Sequence, residues 1–342
     1  MAATRPRPSG PSMQDVAAAA GVALGTVSNV LNHPGKVSPE TARRVRDAIE
    51  RLGFVRNDAA RSLASGSNNS IGFVLADLDN SLFVDMATGA QTAARAAGYH
   101  LLLASANCDQ AQQDQYLDLF DEARVAGVLL APMEDSTEAV ARMRSHRRQI
   151  VLLNFAPRPG SCCSVLVDNE RVGYLAAKHL IEAGCARLAF VAARDDYQPV
   201  RDRRRGIRRA VEEAGVGLAE IESGGLRTAH GREAGARFAR SAPGDRPDGI
   251  VAVTDQLANG IAEELVRAGV RVPAEVAIVG CENDRSAGSG PMPLTAVDAP
   301  GRTMGREAVR LLLDEVSAVE RHRHATVVLE PELIVRASTR AS

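Results

Sequence analysis

Two groups of residues in this chain have types and spacing suited to binding chemistry. The first is the stretch 21–31, Gly-Val-Ala-Leu-Gly-Thr-Val-Ser-Asn-Val-Leu, which follows an apolar-periodic run at 13–20. Read as a helix, it turns Val22, Val27, Val30 and Leu31 inward. Ala23, Leu24, Gly25, Thr26, Ser28 and Asn29 then face outward. A helix face without charge is unusual for one that only meets water. Its amide, hydroxyls and small apolar groups suit base edges and thymine methyls. Two short helices joined at a glycine are the sign of a helix-turn-helix, whose second helix enters the DNA major groove. The second group is Asp77 and Asn80, just past an apolar run at 71–75. They either cap the helix that follows or form the polar floor of a ligand cleft.

Other groupings are weaker. In the arginine-rich run 201–209, Ile207, Ala210, Val211 and Ala214 make an apolar stripe, so most of these arginines belong to a solvated helix face. His322 and His324 are spaced like a metal pair, yet no third ligand lies nearby in sequence, and they read as a solvated loop. The five cysteines, Cys108, Cys162, Cys163, Cys185 and Cys281, have neither an even count nor regular spacing, and read as buried free thiols. No metal and no cofactor is expected. The chain has no GxGxxG after its first strand, no GxxxxGK[ST], no GxSxG and no HExxH, so an enzyme has no motif behind it.

These residues must be carried by more than one domain, because 342 residues exceed what a single core usually serves. Charge is uneven. Residues 1–66 hold nine Lys and Arg against five Asp and Glu, a net +4, and the remainder is −5. A basic head on an acidic body suits one segment that meets phosphates while the rest stays off them. The N-terminus lacks the apolar region of a secretory signal, and no run of about 18 apolar residues could span a membrane. A cytoplasmic protein without membrane contact is expected.

Ser12 can cap the first helix, with Asp15 completing a capping box. Ser38-Pro39-Glu40 opens a third helix that Gly53 ends. Residues 57–66 carry a cap, helix formers and a terminal glycine, but one large apolar residue, Leu63. So short a helix is marginal in water, and forms only with a surface to lie on. From residue 71 short apolar runs alternate with helical patterns, and the alternation restarts after 165–168. This gives two α/β lobes with parallel sheets and a ligand cleft past the carboxyl ends of the strands.

Ser12-Met-Gln-Asp-Val-Ala, Ala20-Gly-Val, Thr26-Val-Ser-Asn-Val-Leu-Asn32, Val37-Ser-Pro-Glu-Thr41 and Ala59-Ala-Arg-Ser-Leu-Ala64 resemble the head of the lactose-repressor (LacI/GalR) family of bacterial transcription regulators. Ile71-Gly, Val167-Asp-Asn169, Gly173, Thr254-Asp255, Val272-Pro273 and Pro293-Leu-Thr295 resemble that family's periplasmic-binding-protein-like core. The resemblance implies an α/β fold with a helix-turn-helix head and a two-lobed core. It implies a DNA-binding domain over 12–57, a hinge helix and linker over 58–70, and a core over 71–339, while the Pro, Arg, Ser and Gly composition of 1–11 predicts a disordered tail. Lobe 1 would hold about 71–164 and 295–320, and lobe 2 about 165–294 and 321–339. DNA contacts would come from Ser12, Ala23, Leu24, Gly25, Thr26, Ser28, Asn29 and Asn32, and from Ala60, Leu63 and Ala64 of the hinge. Arg203 matches the family's effector-contacting arginine and Glu282 its cleft aspartate; Asn154, Thr254 and Phe83 complete the implied effector set with Asp77 and Asn80. Ala23 stands where a serine cap is usual, Asn29 where arginine is common and Arg56 where proline usually precedes the hinge. The expected partners are operator DNA, a sugar-like effector and a second copy of the chain. The alternative is a solute-binding protein of the same fold.

Overall fold

The computed structural model describes residues 11–54, 69–132, 134–193, 197–289 and 292–339, and the chain divides into two compact units at Asn68. The expected hinge, with Ala60, Leu63 and Ala64, lies outside the described residues.

Among its described residues the head unit carries three α-helices: α1 (Met13–Ala20), α2 (Leu24–Asn32) and α3 (Pro39–Leu52). Ser12 and Asp15 form the reciprocal capping box, Ser12 Oγ accepting from Asp15 N at 3.3 Å and Ser12 N donating to Asp15 Oδ2 at 2.7 Å. Gly21 ends α1 in the left-handed region at φ 64°, where a side chain would be strained. Val16, Val27, Val30, Ala42, Val45 and Ala48 make the core. Arg44 of α3 donates to the carbonyls of Ala20 and Gly21, at 2.7 and 3.1 Å. It thereby satisfies acceptors that the end of α1 leaves unpaired and places a cation at that helix's negative end.

The second unit carries two six-stranded sheets. The first contains β1 (Ser70–Leu75), β2 (His100–Ser105), β3 (Gly127–Leu130), β4 (Ile150–Leu153), β5 (Cys163–Val167) and β11 (Thr326–Leu329), all pairings parallel. The second contains β6 (Arg187–Ala192), β7 (Gly217–Glu222), β8 (Gly249–Ala252), β9 (Ala277–Gly280), β10 (Thr295–Asp298) and β12 (Glu332–Ile334). Only β12 runs antiparallel to its neighbour. Among the described residues, eight helices of nine residues or more cover these sheets: α4 (Ser81–Ala96), α5 (Gln110–Glu122), α6 (Thr137–Ser145), α7 (Asn169–Glu182), α8 (Gln198–Ala214), α9 (Thr228–Arg240), α10 (Asp255–Arg267) and, after a short turn of helix, α12 (Gly301–Ser317). That short turn is α11 (Arg285–Ser289).

The sheets correct the expected lobe boundaries. β5 and β11 belong to the first sheet, although residues from 165 and from 321 were expected in lobe 2. β10 belongs to the second sheet, although 295–320 was expected in lobe 1. The chain therefore crosses between lobes after β5, after β10 and after β11. A short apolar run announces a buried strand but not the sheet it joins, because both sheets present the same apolar edge to it.

Helices α7 and α8 pack closely enough to matter for the site. A Cβ on Gly173 would lie 1.9 Å from the Arg203 carbonyl oxygen, and one on Gly206 would lie 1.9 Å from that of Glu170. Glycine at both positions lets the two backbones touch, which fixes where Arg203 projects.

Candidate functional site

The carboxyl ends of both sheets face one cavity of about 330 Å³. From the first lobe, the loop after β1 supplies Asp77 and Asn80. From the second, α8 supplies Arg203, the loops after β8 and β9 supply Thr254 and Glu282, and the loop after β7 supplies Arg227.

Asn80 both caps a helix and lines the cavity. Its Oδ1 accepts from Leu82 N at 2.9 Å, capping α4, while its Nδ2 donates to Glu282 Oε2 at 3.0 Å across the lobes. Asp77 accepts from Asp79 N at 2.9 Å with one oxygen and from Arg227 at 2.9 Å with the other. Arg203 is fully buried. Its Nε donates to Asn169 Oδ1 at 2.9 Å, one terminal nitrogen donates to the Val253 carbonyl at 2.5 Å, and the same nitrogen lies 3.7 Å from Glu282 Oε1. Thr254 caps α10 and donates to the Leu226 carbonyl at 2.8 Å. Phe83 lies at the edge of the core and lines the cavity.

Six of the seven expected effector residues thus meet at one cavity. Asn154 does not line it. It sits behind, accepting from Asn169 Nδ2 at 3.0 Å and so orienting the amide that holds Arg203.

Electrostatics single out Glu282. Burial pushes its carboxyl up to about 7, with Asp284 adding to the rise while Arg203 and the Asn80 hydrogen bond oppose it. Behind it the fully buried Asp255 accepts from the backbone N–H of Glu282 and of Asp284, at 3.3 and 2.6 Å. Burial, then the charges of Asp284 and Glu282, hold the Asp255 carboxyl well above its ordinary value. A carboxyl poised near neutrality beside a fixed guanidinium is suited to gripping hydroxyl groups, not to lying idle.

In the head, Ala23, Leu24, Gly25 and Asn29 are exposed and Thr26 and Ser28 half-buried, so the uncharged face of α2 is available. Ser12 is exposed at the start of α1, and Ala23 precedes α2 without a side-chain cap. Asn32 is the last residue of α2.

Residues 12–57 match the family description "Bacterial regulatory proteins, lacI family", and residues 177–339 match "Periplasmic binding protein-like domain". The HTH-type transcriptional regulator DegA of Bacillus subtilis (strain 168) is 30% identical over 340 residues, covering 96% of this chain and 98% of DegA. The chain belongs to the lacI family of bacterial regulatory proteins. The HTH-type transcriptional repressor PurR of Vibrio vulnificus (strain CMCP6) is 28% identical over 329 residues, 95% of this chain and 97% of that repressor. Among solved structures, the transcriptional regulator CelR in its cellobiose complex matches with a TM-score of 0.71 at 28% identity, over 96% of this chain and 99% of CelR.

This lacI-family chain also places residues in the cavity that sequence reasoning missed: Arg227, Tyr197, His230 and Gln256. Arg227 and His230 were hidden because β7 was not recognised. Had residues 217–222 been read as an edge strand, the Gly224-Gly225 turn before α9 would have marked a strand-end loop. A second correction concerns His322 and His324, which do not form a purely solvated loop. Both are half-buried, and Cys163 Sγ lies 3.1 Å from His322 Nε2 and 3.8 Å from His324 Nδ1. Of the cysteines expected to be buried, Cys162, Cys163 and Cys281 are, Cys185 is half-buried and Cys108 is exposed.

Proposed function

We propose that this chain is a transcriptional repressor that binds a palindromic operator as a dimer and is switched by a small polyhydroxylated effector held between the lobes. The observation that carries the reading is the cavity itself. Asp77, Asn80, Arg203 and Glu282 come from both lobes and present charged and amide groups to one space. Carboxylates, an amide and a planar guanidinium suit vicinal hydroxyls. CelR, similar along its whole length, was solved with cellobiose. The repressor reading is supported by PurR and the dimer by two features. One helix-turn-helix offers few base contacts, whereas two on half-sites a helical turn apart offer twice as many. In addition, β2 is an outer strand of the first sheet and exposes Leu102 and Leu103, an apolar edge of the kind that pairs with another chain. Such a protein works in the cytoplasm and turns nothing over.

The hinge belongs to the same reading. Leu63 of each protomer would wedge a central base step in the minor groove, and effector binding would melt the hinge helices. The test is a thermal-shift screen of sugars, nucleosides and small acids, in which a ligand at 100 times its Kd adds about 2.7 kcal/mol. A hit must then change the shift of an inverted-repeat DNA in a gel. A ligand that binds without changing DNA affinity would favour a solute-binding role, and one that is consumed would favour an enzyme.

A further inference from the structure

Outside the cleft, four side chains from three elements point at one spot. Cys163 is the first residue of β5, Glu315 lies in the last turn of α12, and His322 and His324 stand in the connection from α12 to β11. One sulfur, two imidazole nitrogens and one carboxylate oxygen all lie within 4.8 Å of one another. Three of these pairs are 3.1 Å (Cys163–His322), 3.8 Å (Cys163–His324) and 4.0 Å (His324–Glu315) apart. A tetrahedral ion with metal–sulfur bonds of about 2.3 Å and metal–nitrogen or metal–oxygen bonds of about 2.0–2.1 Å sets its ligand atoms about 3.3–3.6 Å apart. The three pairs bracket that spacing.

A second observation points to a ligand. Glu315 is buried, yet its Oε2 has no hydrogen-bond partner among the described residues. Its other oxygen accepts from Arg144 at 3.0 Å. A buried carboxylate oxygen left bare is costly unless something occupies it. At 4.0 Å from His324 Nδ1 it is too far for a hydrogen bond but well placed to share an ion. The surroundings also resemble an outer shell: Arg144 orients the carboxylate, and the Ala325 N–H points at Cys163 Sγ from 3.4 Å. A groove of about 400 Å³ lined by Arg147, Arg148, Glu320 and both histidines gives an entry path.

We propose that Cys163, Glu315, His322 and His324 form a tetrahedral site for a zinc ion. One thiolate, two imidazoles and one carboxylate are the donor set of a borderline-soft divalent metal, and disfavour calcium or magnesium. Two anionic ligands balance the ion's charge. All four positions are filled by protein, so the site is structural, not hydrolytic. It ties the 318–325 connection, which leads into β11, onto the strand that β11 pairs with. The effector cavity lies past the carboxyl ends of the strands, whereas this site stands at the amino end of β5.

The test uses the full chain stripped with a chelator and titrated with cobalt(II). One equivalent should give the intense visible bands of tetrahedral cobalt and a near-ultraviolet thiolate charge-transfer band, both erased by excess zinc. Cys163→Ser should lose the charge-transfer band and Cys185→Ser should keep it. His322→Ala, in the surface connection, should fold and bind about tenfold more weakly or worse. It decides the matter if Cys163→Ser fails to fold. An octahedral cobalt spectrum, a charge-transfer band that survives Cys163→Ser, or affinity unchanged in His322→Ala would each overturn the proposal.

Discussion

Replacing Glu282 with glutamine should make the ligand-free protein more stable, and only at neutral or higher pH. In the unfolded chain the carboxyl titrates at its ordinary value of 4.5, and in the folded chain burial raises it to about 7. Between those values the folded chain holds a proton that the unfolded chain has lost. The free energy of unfolding therefore falls as pH rises through that window. The favourable contribution is complete below 4.5 and gone above 7. A rise of about 2.5 units at about 1.36 kcal/mol each is about 3 kcal/mol. Glutamine keeps an oxygen for Asn80 Nδ2 but carries no charge to bury. Glu282→Gln should match the parent near pH 5 and exceed it by about 3 kcal/mol near pH 8. For a body of this size that is about 6–12 °C in Tm. The assay is calorimetric unfolding of both proteins from pH 5 to 8. The difference isolates this group, since titrations common to both cancel. A Tm gap that does not change with pH, or a variant less stable at pH 8, would refute the reasoning. The gain should be offset in function: hydroxyl donors favour the ionised carboxylate, so effector affinity of the parent should rise with pH up to about 7, and that of the variant should not.

Three further outcomes are expected. Arg203→Ala and Asp77→Ala should abolish the effector response while operator affinity in gel shifts stays near that of the parent; normal release of DNA by ligand in both would remove the cavity from the switch. Gly206→Ala drives a methyl into the Glu170 carbonyl and should destabilise the body by about 1–3 kcal/mol in denaturant unfolding, weakening effector binding with it. Asn29→Arg should change the preferred base at one symmetric pair per half-site, by about 1–3 kcal/mol each, because asparagine pairs with adenine and arginine with guanine; an unchanged selected motif would show that residue 29 reads no base.

What the sequence disclosed follows from how much of each signal is local. The Ser12–Asp15 box and the Ser38-Pro39 start are complete within four residues, and the structure reproduces them. β1, β3, β4, β6, β8 and β9 are buried on both faces, so they stand out as unbroken apolar runs. β7, β11 and β12 are half-exposed outer strands, and their mixed composition hid them. Asp77 and Asn80 were singled out because a strand end is a local cue, whereas Thr254 and Glu282 came from the family resemblance, and the structure places all four at the cavity. Arg227 was not singled out, since its strand was missed. The Cys163–His322 approach spans 159 residues and depends on β5 pairing with β11, which no window along the chain can reveal.

The interactions across the cleft bear on how such a site could switch. The loop and first turn after β1 touch the other lobe repeatedly: Asp77 and Asp79 through Arg227, the Asp79 carbonyl through Gln256, Asn80 through Glu282, and Asp85 through Arg285. Several are ion pairs with a half-exposed arginine, each worth no more than about 1 kcal/mol. A ligand shifts a conformational equilibrium only by the difference in its affinity for the two states. Here the bonds that join the lobes and the groups that would hold a ligand are in part the same atoms. On the proposed reading, Asp77 and Glu282 would be claimed either by effector hydroxyls or by Arg227 and Asn80. An effector that replaces those bonds with better ones favours closure, and one that removes them without replacement favours opening. Because the half-exposed ion pairs among them are weak, a modest difference in ligand affinity suffices to shift that part of the balance.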